Sequence, residues 1–258
     1  MASRLPLSLA GKHCVVTGGT GSIGFRIAAA FADRGSVVTI LSRNAPEKEG
    51  FLRPELKPFQ PVPDAETFDG ERRPEEHTFT RLDVSRPDIF KGLIPNLGPV
   101  DVLVNCAGVT QMTALKRTDP EEVQQILNVN LRAAILVSKY IKMNNHGCII
   151  NISSLLANKG GAGASVYAAS KAGLVGFTRA LALEYSPRRI RVNAILPGWI
   201  ESPMWDQIGE GKKNIYIKDC PAGRVGTPDE VADAALFLAT NRFANNCVLN
   251  LDGGYSAL

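Results

Sequence analysis

The chain has 258 residues, 45% of them hydrophobic and 21% charged, with a formal net charge of +4. That length and apolar share suit one globular domain of α/β size with a full core, and so mild a charge argues against the basic stripe of a nucleic-acid binder. Five scattered cysteines without C-x-x-C spacing, three separated histidines and no apolar run near the ~20 residues that span a bilayer exclude a disulfide framework, a metal cluster and a membrane anchor.

In chain order, the opening MASRLPLSLAGKH has one Arg and no long apolar core. It is a poor secretory signal, so the expected location is cytoplasmic or mitochondrial matrix, not secreted. His13 to Thr17, HCVVT, reads as a buried strand and runs into the glycine-dense TGGTGSIG, Thr17 to Gly24. Glycines that dense cost backbone entropy, so a turn or a close approach must need them. Three spacings fit the stretch. Gly19-x-Gly21-x-x-Gly24 is the general dinucleotide fingerprint, Thr17-Gly18-x-x-Gly21-x-x-Gly24 is a second, and T-G-x-x-x-G-x-G is a third in which Ser22 stands for the middle glycine. The loop alone does not choose among them.

A helix over 23–34 closes on Gly35, and SVVTIL gives a second strand ending in Ser42-Arg43-Asn44. Between Arg43 and Thr78 lie 34 residues that carry Pro46, Pro54, Pro58, Pro61, Pro63 and Pro74 among many charges. That spacing forbids a long crossover helix. The stretch at about 45–77 reads as a solvated, partly disordered surface insertion, or else as a lid or partner-docking arm. A Gly/Ser linker in place of 46–74 is expected to leave the fold intact. VDVLVN, GCIINIS, RIRVNAIL and CVLNLD follow as further buried strands, with helices over 119–142, 164–186 and 228–240. Asp119-Pro120 and Thr227-Pro228 put a capping residue before Pro at the start of two of them. Alternating strands and helices imply a parallel sheet covered on both faces.

Of five tyrosines, only Tyr167, in YAASK, has a lysine at i+4. On a helix the two share a face, and an ammonium there lowers a phenol's pKa of ~10 by ~1–3 units. Alone the pattern is weak. Thirteen residues upstream, INISS ends a strand with Ser153 and Ser154 at the edge where ligands bind in such sheets. A serine there is either a cap or, coupled with Tyr167, a hydrogen-bond donor to a carbonyl oxygen.

From Gly11 to Gly254, apart from the proline-rich stretch, the chain resembles a classical short-chain dehydrogenase/reductase, most closely the β-ketoacyl-acyl-carrier-protein reductases and related carbonyl reductases. The resemblance rests on NCAG (Asn105 to Gly108), NVNL with Asn130, ISS with Ser154, YAASK with Tyr167 and Lys171, PGWIESPM with Pro197 and Gly198, and LDGG with Asp252 to Gly254. Extended relatives carry a substantial C-terminal substrate domain, but only 87 residues follow Lys171 here. The glycine loop therefore reads as the third spacing with one substitution. Ser22 and Cys106 depart from the family pattern, Cys106 replacing the second Asn of N-N-A-G.

The resemblance implies an α/β fold: a single-domain Rossmann fold over 1–258, with a doubly wound parallel sheet of about seven strands and helices on both faces. It implies NADPH-dependent reduction of a ketone to a secondary alcohol, most closely 3-oxoacyl-[acyl-carrier-protein] reduction. The alternative is a carbonyl or alcohol dehydrogenase acting on a quinone, steroid or secondary metabolite. Tyr167 would donate the proton, Ser154 hold the carbonyl oxygen, Lys171 lower the Tyr167 pKa and bind the nicotinamide ribose, and Asn130 anchor a proton relay. NADP(H) contacts are expected from Gly18, Thr20, Gly21, Ser22, Ile23, Gly24, Ser42, Arg43, Asp83, Val84, Asn105, Ala107, Gly108, Tyr167, Lys171, Pro197, Gly198 and Ile200, with no metal. NAD-specific members place an acid at the end of the second strand. Here no carboxylate appears before Glu47, and Arg43 with Ser42 suits a 2′-phosphate. With Gly21 where many NADP-preferring relatives place a basic residue, Arg43 is expected to supply most of the charge discrimination. Expected partners are a β-ketoacyl thioester or other small carbonyl substrate, an acyl carrier protein and a homotetramer through 119–142, 164–186 and the last strand. No nucleic acid or membrane partner is expected. Arg188 and Arg189 are either carrier-docking or plain surface charges. Trp199 to Asp219 is either a lid whose aromatics pack on the core or an acyl slot rimmed by Lys212 and Lys213.

Overall fold

The apolar runs become one parallel sheet in the computed structural model, which describes residues 7–60, 73–86, 88–111 and 113–257. Its strands are β1 His13–Thr17, β2 Val37–Ser42, β3 Thr78–Arg81, β4 Val100–Asn105, β5 Met143–Ile152, β6 Arg191–Pro197 and β7 Val248–Leu251. They lie in the order β3-β2-β1-β4-β5-β6-β7, every pair parallel. The expected doubly wound α/β sheet is what forms. Six strands coincide with apolar runs; β1, β2, β4, β5 and β6 do so because they are buried on both faces, whereas β7 is a half-buried edge strand. β3, TFTR, is not among those runs: it is a four-residue edge strand in which only Phe79 is buried.

The helices are α1 Ser22–Asp33, α2 Ala45–Leu52, α3 Asp88–Leu93, α4 Pro120–Leu127, α5 Ala133–Tyr140, α6 Leu156–Lys159, α7 Ser165–Glu184, α8 Pro203–Asp206, α9 Glu210–Lys218 and α10 Pro228–Thr240. Alternate strand residues serve opposite layers. Val16, Val104 and Ile150 join the core that contains α1 and α10 residues, while Val15, Leu103 and Ile149 join the one that contains α5 and α7 residues. Gly35 follows α1 at φ +82°, as its sequence position requires. Thr227 and Glu230 cap each other's backbone N–H at the start of α10. Asp119 sits at the N-cap of α4, but its side chain makes no capping bond.

Two sequence expectations change. The helix expected over 119–142 is two helices joined by a wide turn at Asn128–Arg132, where the Ala133 N–H reaches back five residues to the Asn128 carbonyl. Such widening recurs at functional sites. The proline-rich stretch also begins as packed structure. Pro46 falls in the first turn of α2, where a missing N–H costs nothing, and Ala45 and Leu56 are buried. His77 accepts the Val38 N–H at Nδ1 (3.1 Å) and lies 2.9 Å from the Lys57 carbonyl at Nε2, and Arg73 Nη1 donates to the Gly11 carbonyl at 3.0 Å. Removing 46–74 would delete α2 and Arg73. The expectation of a dispensable insertion is therefore corrected at both ends, and the expected mobility of 61–72 lies outside the described residues.

Candidate active site

The strand order reverses between β1 and β4, and ligands of doubly wound sheets bind in the crevice beyond the strand ends there. Thr17 ends β1 and accepts the N–H groups of Cys106 (3.1 Å) and Ala107 (3.3 Å) on its hydroxyl. Gly18 has φ +66°, and a Cβ there would lie 2.8 Å from Ala107 Cα, so only glycine fits. A Cβ on Gly24 would collide with the Gly18 carbonyl. Ser22 occupies the first helical position of α1, where its side chain is accommodated half-buried. No side chain caps that helix and no acid lies in its first turn, so its first N–H groups suit an anion. Asn105 Oδ1 is buried without a partner at the end of β4, while its Nδ2 donates to Asn151 Oδ1 at 2.8 Å. These features fit a dinucleotide.

At the end of β2, Thr20 Oγ1 lies 2.7 Å from Ser42 Oγ and 2.8 Å from Asn44 Oδ1, tying the glycine loop to the strand. Arg43 is exposed beside them. Two cations that the sequence reading omitted join it. Lys48 Nζ reaches the Thr20 carbonyl at 3.5 Å, and Arg81 Nη1 donates to the Arg43 carbonyl at 2.9 Å. Arg81 also pairs with Glu47. Its own backbone N–H and that guanidinium hold the Glu47 carboxyl below the usual range. Glu47 is thus engaged by an arginine. Burial acts against ionisation of Asp83, but the Ser85 hydroxyl and N–H, with the Arg43 and Arg86 charges, hold its carboxyl below the ordinary value. Val84 packs on the core beside it.

Ser154 leaves the end of β5, and Tyr167 and Lys171 stand on α7. The Ser154 side chain lies beside the Tyr167 phenol. Lys171 is 4% exposed, donates to the Ile152 carbonyl at 2.9 Å and lies 5.7 Å from the Tyr167 ring centre. Burial pushes the Tyr167 phenol up, with Ser154 pulling it part of the way back. Burial lowers Lys171 to about 8. The expected depression of the Tyr167 pKa is therefore absent: desolvation outweighs a lysine whose ammonium is engaged by a carbonyl. Asn130 sits in the wide turn and clasps Val109 from both sides, accepting its N–H at 2.8 Å and donating to its carbonyl at 3.0 Å. A Cβ on Gly108 would lie 3.4 Å from Lys171 Nζ and 3.5 Å from Asn130 Oδ1, so these groups converge.

Pro197 and Gly198 close β6, and a Cβ on Gly198 would lie 2.7 Å from Asp252 Cα. Ile200 bridges to Gly226. Beyond them Trp199 stacks on Tyr216 of α9 with ring centres 4.1 Å apart, and Trp205 lies 5.9 Å from Trp199. Lys213 pairs with Glu210 at 3.0 Å and sits over the Trp205 ring, so it is no open positive rim. A cavity of about 450 Å³ between Trp199, Tyr216, Phe237, Leu249 and Leu251 is lined by none of Ser154, Tyr167 or Lys171.

The family model described as enoyl-(acyl carrier protein) reductase matches residues 63–256. The chain is 36% identical over 257 residues to the 3-oxoacyl-[acyl-carrier-protein] reductase FabG of Chlamydia trachomatis, covering 95% of this chain and 98% of that protein. It is 35% identical over 251 residues to carbonyl reductase family member 4 of Xenopus laevis, covering 94% and 97%. A solved short-chain dehydrogenase/reductase mutant from Serratia marcescens superposes with TM-score 0.83 at 27% identity, over 97% of this chain and all of that one. No helix among the described residues is long and apolar enough to cross a membrane. With the motifs, the sheet order and these relatives in agreement, the chain belongs to the short-chain dehydrogenase/reductase family of oxidoreductases.

Proposed function

We propose that this single domain reduces the ketone of a 3-oxoacyl thioester, carried on acyl carrier protein, to a secondary alcohol with NADPH. One observation carries the reading: Ser154 and the Tyr167 phenol stand side by side near a buried Lys171, at the sheet edge where Gly18, Gly24 and the α1 N-terminus make a dinucleotide cradle. The nicotinamide supplies the hydride. Ser154 donates a hydrogen bond to the substrate oxygen as negative charge develops on it. Tyr167 gives its phenolic proton to the same oxygen, and its raised pKa keeps that proton in place at neutral pH. Lys171, at about 8, is largely protonated at pH 7; it binds the nicotinamide ribose and returns a proton towards Tyr167 along the relay anchored by Asn130. Arg43, Lys48 and Ser42 would hold the 2′-phosphate, and the exposed Arg43 guanidinium, with Glu47 paired to Arg81 and Asp83 bound by Ser85, supports NADPH over NADH.

Similarity to a protein named for carbonyl reduction favours a second reading, a small free carbonyl substrate against the Trp199–Tyr216 stack. Initial rates with β-ketoacyl thioesters and a panel of free ketones and quinones, each with NADPH and NADH, separate the two. The first reading requires thioesters and NADPH to give the highest kcat/KM.

A further inference from the structure

Helix α7 starts without a side-chain cap of its own, because its N-cap position is Ala164. The N–H groups of its second and third residues, Val166 and Tyr167, would otherwise lack acceptors. Both donate instead to Gln111, 55 and 56 residues upstream, whose Oε1 accepts Val166 N at 2.9 Å and Tyr167 N at 3.2 Å. Gln111 is 4% exposed, and its Nε2 donates to the Thr113 carbonyl at 3.1 Å and to Thr118 Oγ1 at 2.9 Å. Two acceptances and two donations leave the amide one orientation, since a flipped group would aim its N–H₂ at two backbone N–H donors. Two residues earlier, Asn130 grips Val109 through both backbone polar groups, so the stretch that presents Gln111 is itself fixed.

We infer that Gln111 is a positioning residue for Tyr167: it caps α7 from outside and fixes the tyrosine's own backbone N–H, thereby setting the phenol against Ser154. The inference rests on the proposed role of Tyr167. Gln111 touches no reacting atom in that scheme. Its action is on geometry, and near a reacting centre small displacements cost rate rather than binding.

The test uses the full-length enzyme with a β-ketoacyl thioester and NADPH. Gln111→Met keeps the volume and removes both acceptances. It lowers kcat about 10- to 100-fold while the fluorescence-titrated NADPH Kd changes less than about twofold. Gln111→Glu keeps an acceptor for both N–H groups but meets the Thr113 carbonyl only as a protonated carboxyl, so it slows kcat less than about tenfold. In a Tyr167→Phe background, Gln111→Met costs no further rate, because the two act as a unit. Wild-type kcat in the Met variant overturns the inference. So does a Glu variant slowed about tenfold or more relative to wild type, a readout that holds even where the Met variant fails to fold. Tyr167→Phe tested alone keeps the outcomes apart: if it leaves the rate intact, the active-site reading fails; if it abolishes the rate while Gln111→Met is silent, only this inference does.

Discussion

Burial sets the protonation states that the chemistry must work with. Tyr167 is held protonated, and Lys171 falls to about 8 because both are desolvated at the end of β5. A group lowered to about 8 loses its proton as pH rises through that value. Reduction that depends on the Lys171 ammonium is therefore full near pH 7 and declines above about 8. We expect kcat/KM for thioester reduction to show an alkaline limb with its midpoint near 8. A profile flat through pH 9 would remove Lys171 from the scheme. The charge at the end of β2 acts separately, through binding. Arg43 is exposed, Arg81 is engaged by Glu47, and Lys48 leans on the glycine loop. Arg43→Asp should cut kcat/KM for NADPH about 10- to 100-fold through KM, with kcat at saturation little changed. The loss should stop short of complete, since Lys48 remains. An unchanged NADPH-to-NADH ratio would reject Arg43 as the discriminating residue.

The turn between α7 and β6 is held by its own arginine. Arg188 donates to Asn145 Oδ1 at 3.1 Å and also to the Met143 carbonyl, pinning the turn against the start of β5. Arg189 follows at φ +55° and is exposed. Carrier docking on these charges predicts that Arg188→Glu raises KM for carrier-linked substrate several-fold and leaves a small soluble thioester unaffected. Equal loss on both assigns Arg188 to the fold alone. Sequence legibility follows the same division between local and distant causes. HCVVT, VDVLVN and the Thr227–Glu230 cap were legible because burial on both faces and capping are written in adjacent residues. β3 was not, since a short edge strand buries one side chain. Prolines hid α2, although Pro46 stands where a helix tolerates one. The wide turn at Asn130 leaves no mark on apolar periodicity. Ser154, Tyr167 and Lys171 were legible through spacing and resemblance, whereas Gln111 reaches α7 from 55 residues away, and no local pattern encodes that.

Across the whole molecule the two ends of the sheet are built for opposite purposes. The C-terminal edge holds the glycine loop and Tyr167, and the N-terminal edge is a buried polar network. Along the sheet's open margin β7 is an edge strand, and Leu127, Ile135 and Leu183 are exposed on α4, α5 and α7. We propose that these faces pair in a homotetramer, and a monomer mass by light scattering would refute it. At the network end, His13 Nδ1 lies 2.9 Å from the Pro99 carbonyl and Nε2 2.8 Å from Thr39 Oγ1, which Thr78 Oγ1 approaches at 2.8 Å. A neutral ring satisfies every partner when Thr78 donates to Thr39, Thr39 to Nε2, and Nδ1 to Pro99. His77 is likewise neutral between Val38 N–H and the Lys57 carbonyl. Burial lowers both pKa values; at His13 the Pro99 carbonyl and Asp101 oppose it and Arg73 assists, and at His77 the Lys57 carbonyl and Glu76 oppose it and Arg53 assists. The sign follows directly. An unfolded histidine takes its proton near pH 6.5, while the folded ones resist until lower pH, so the unfolded chain binds more protons in that window. Stability is full above about pH 6.5 and declines as pH falls towards the folded values, by at most ~1.4 kcal/mol per pH unit for each histidine. His13→Gln should be less stable at pH 7.5 and should lose part of this slope, because the side chain that titrates is gone. Urea midpoints of wild type and variant at pH 5.5 and 7.5 measure it. A wild-type midpoint that does not fall on acidification, or a variant with the full wild-type slope, would show that these histidines are not what the network end of the sheet depends on.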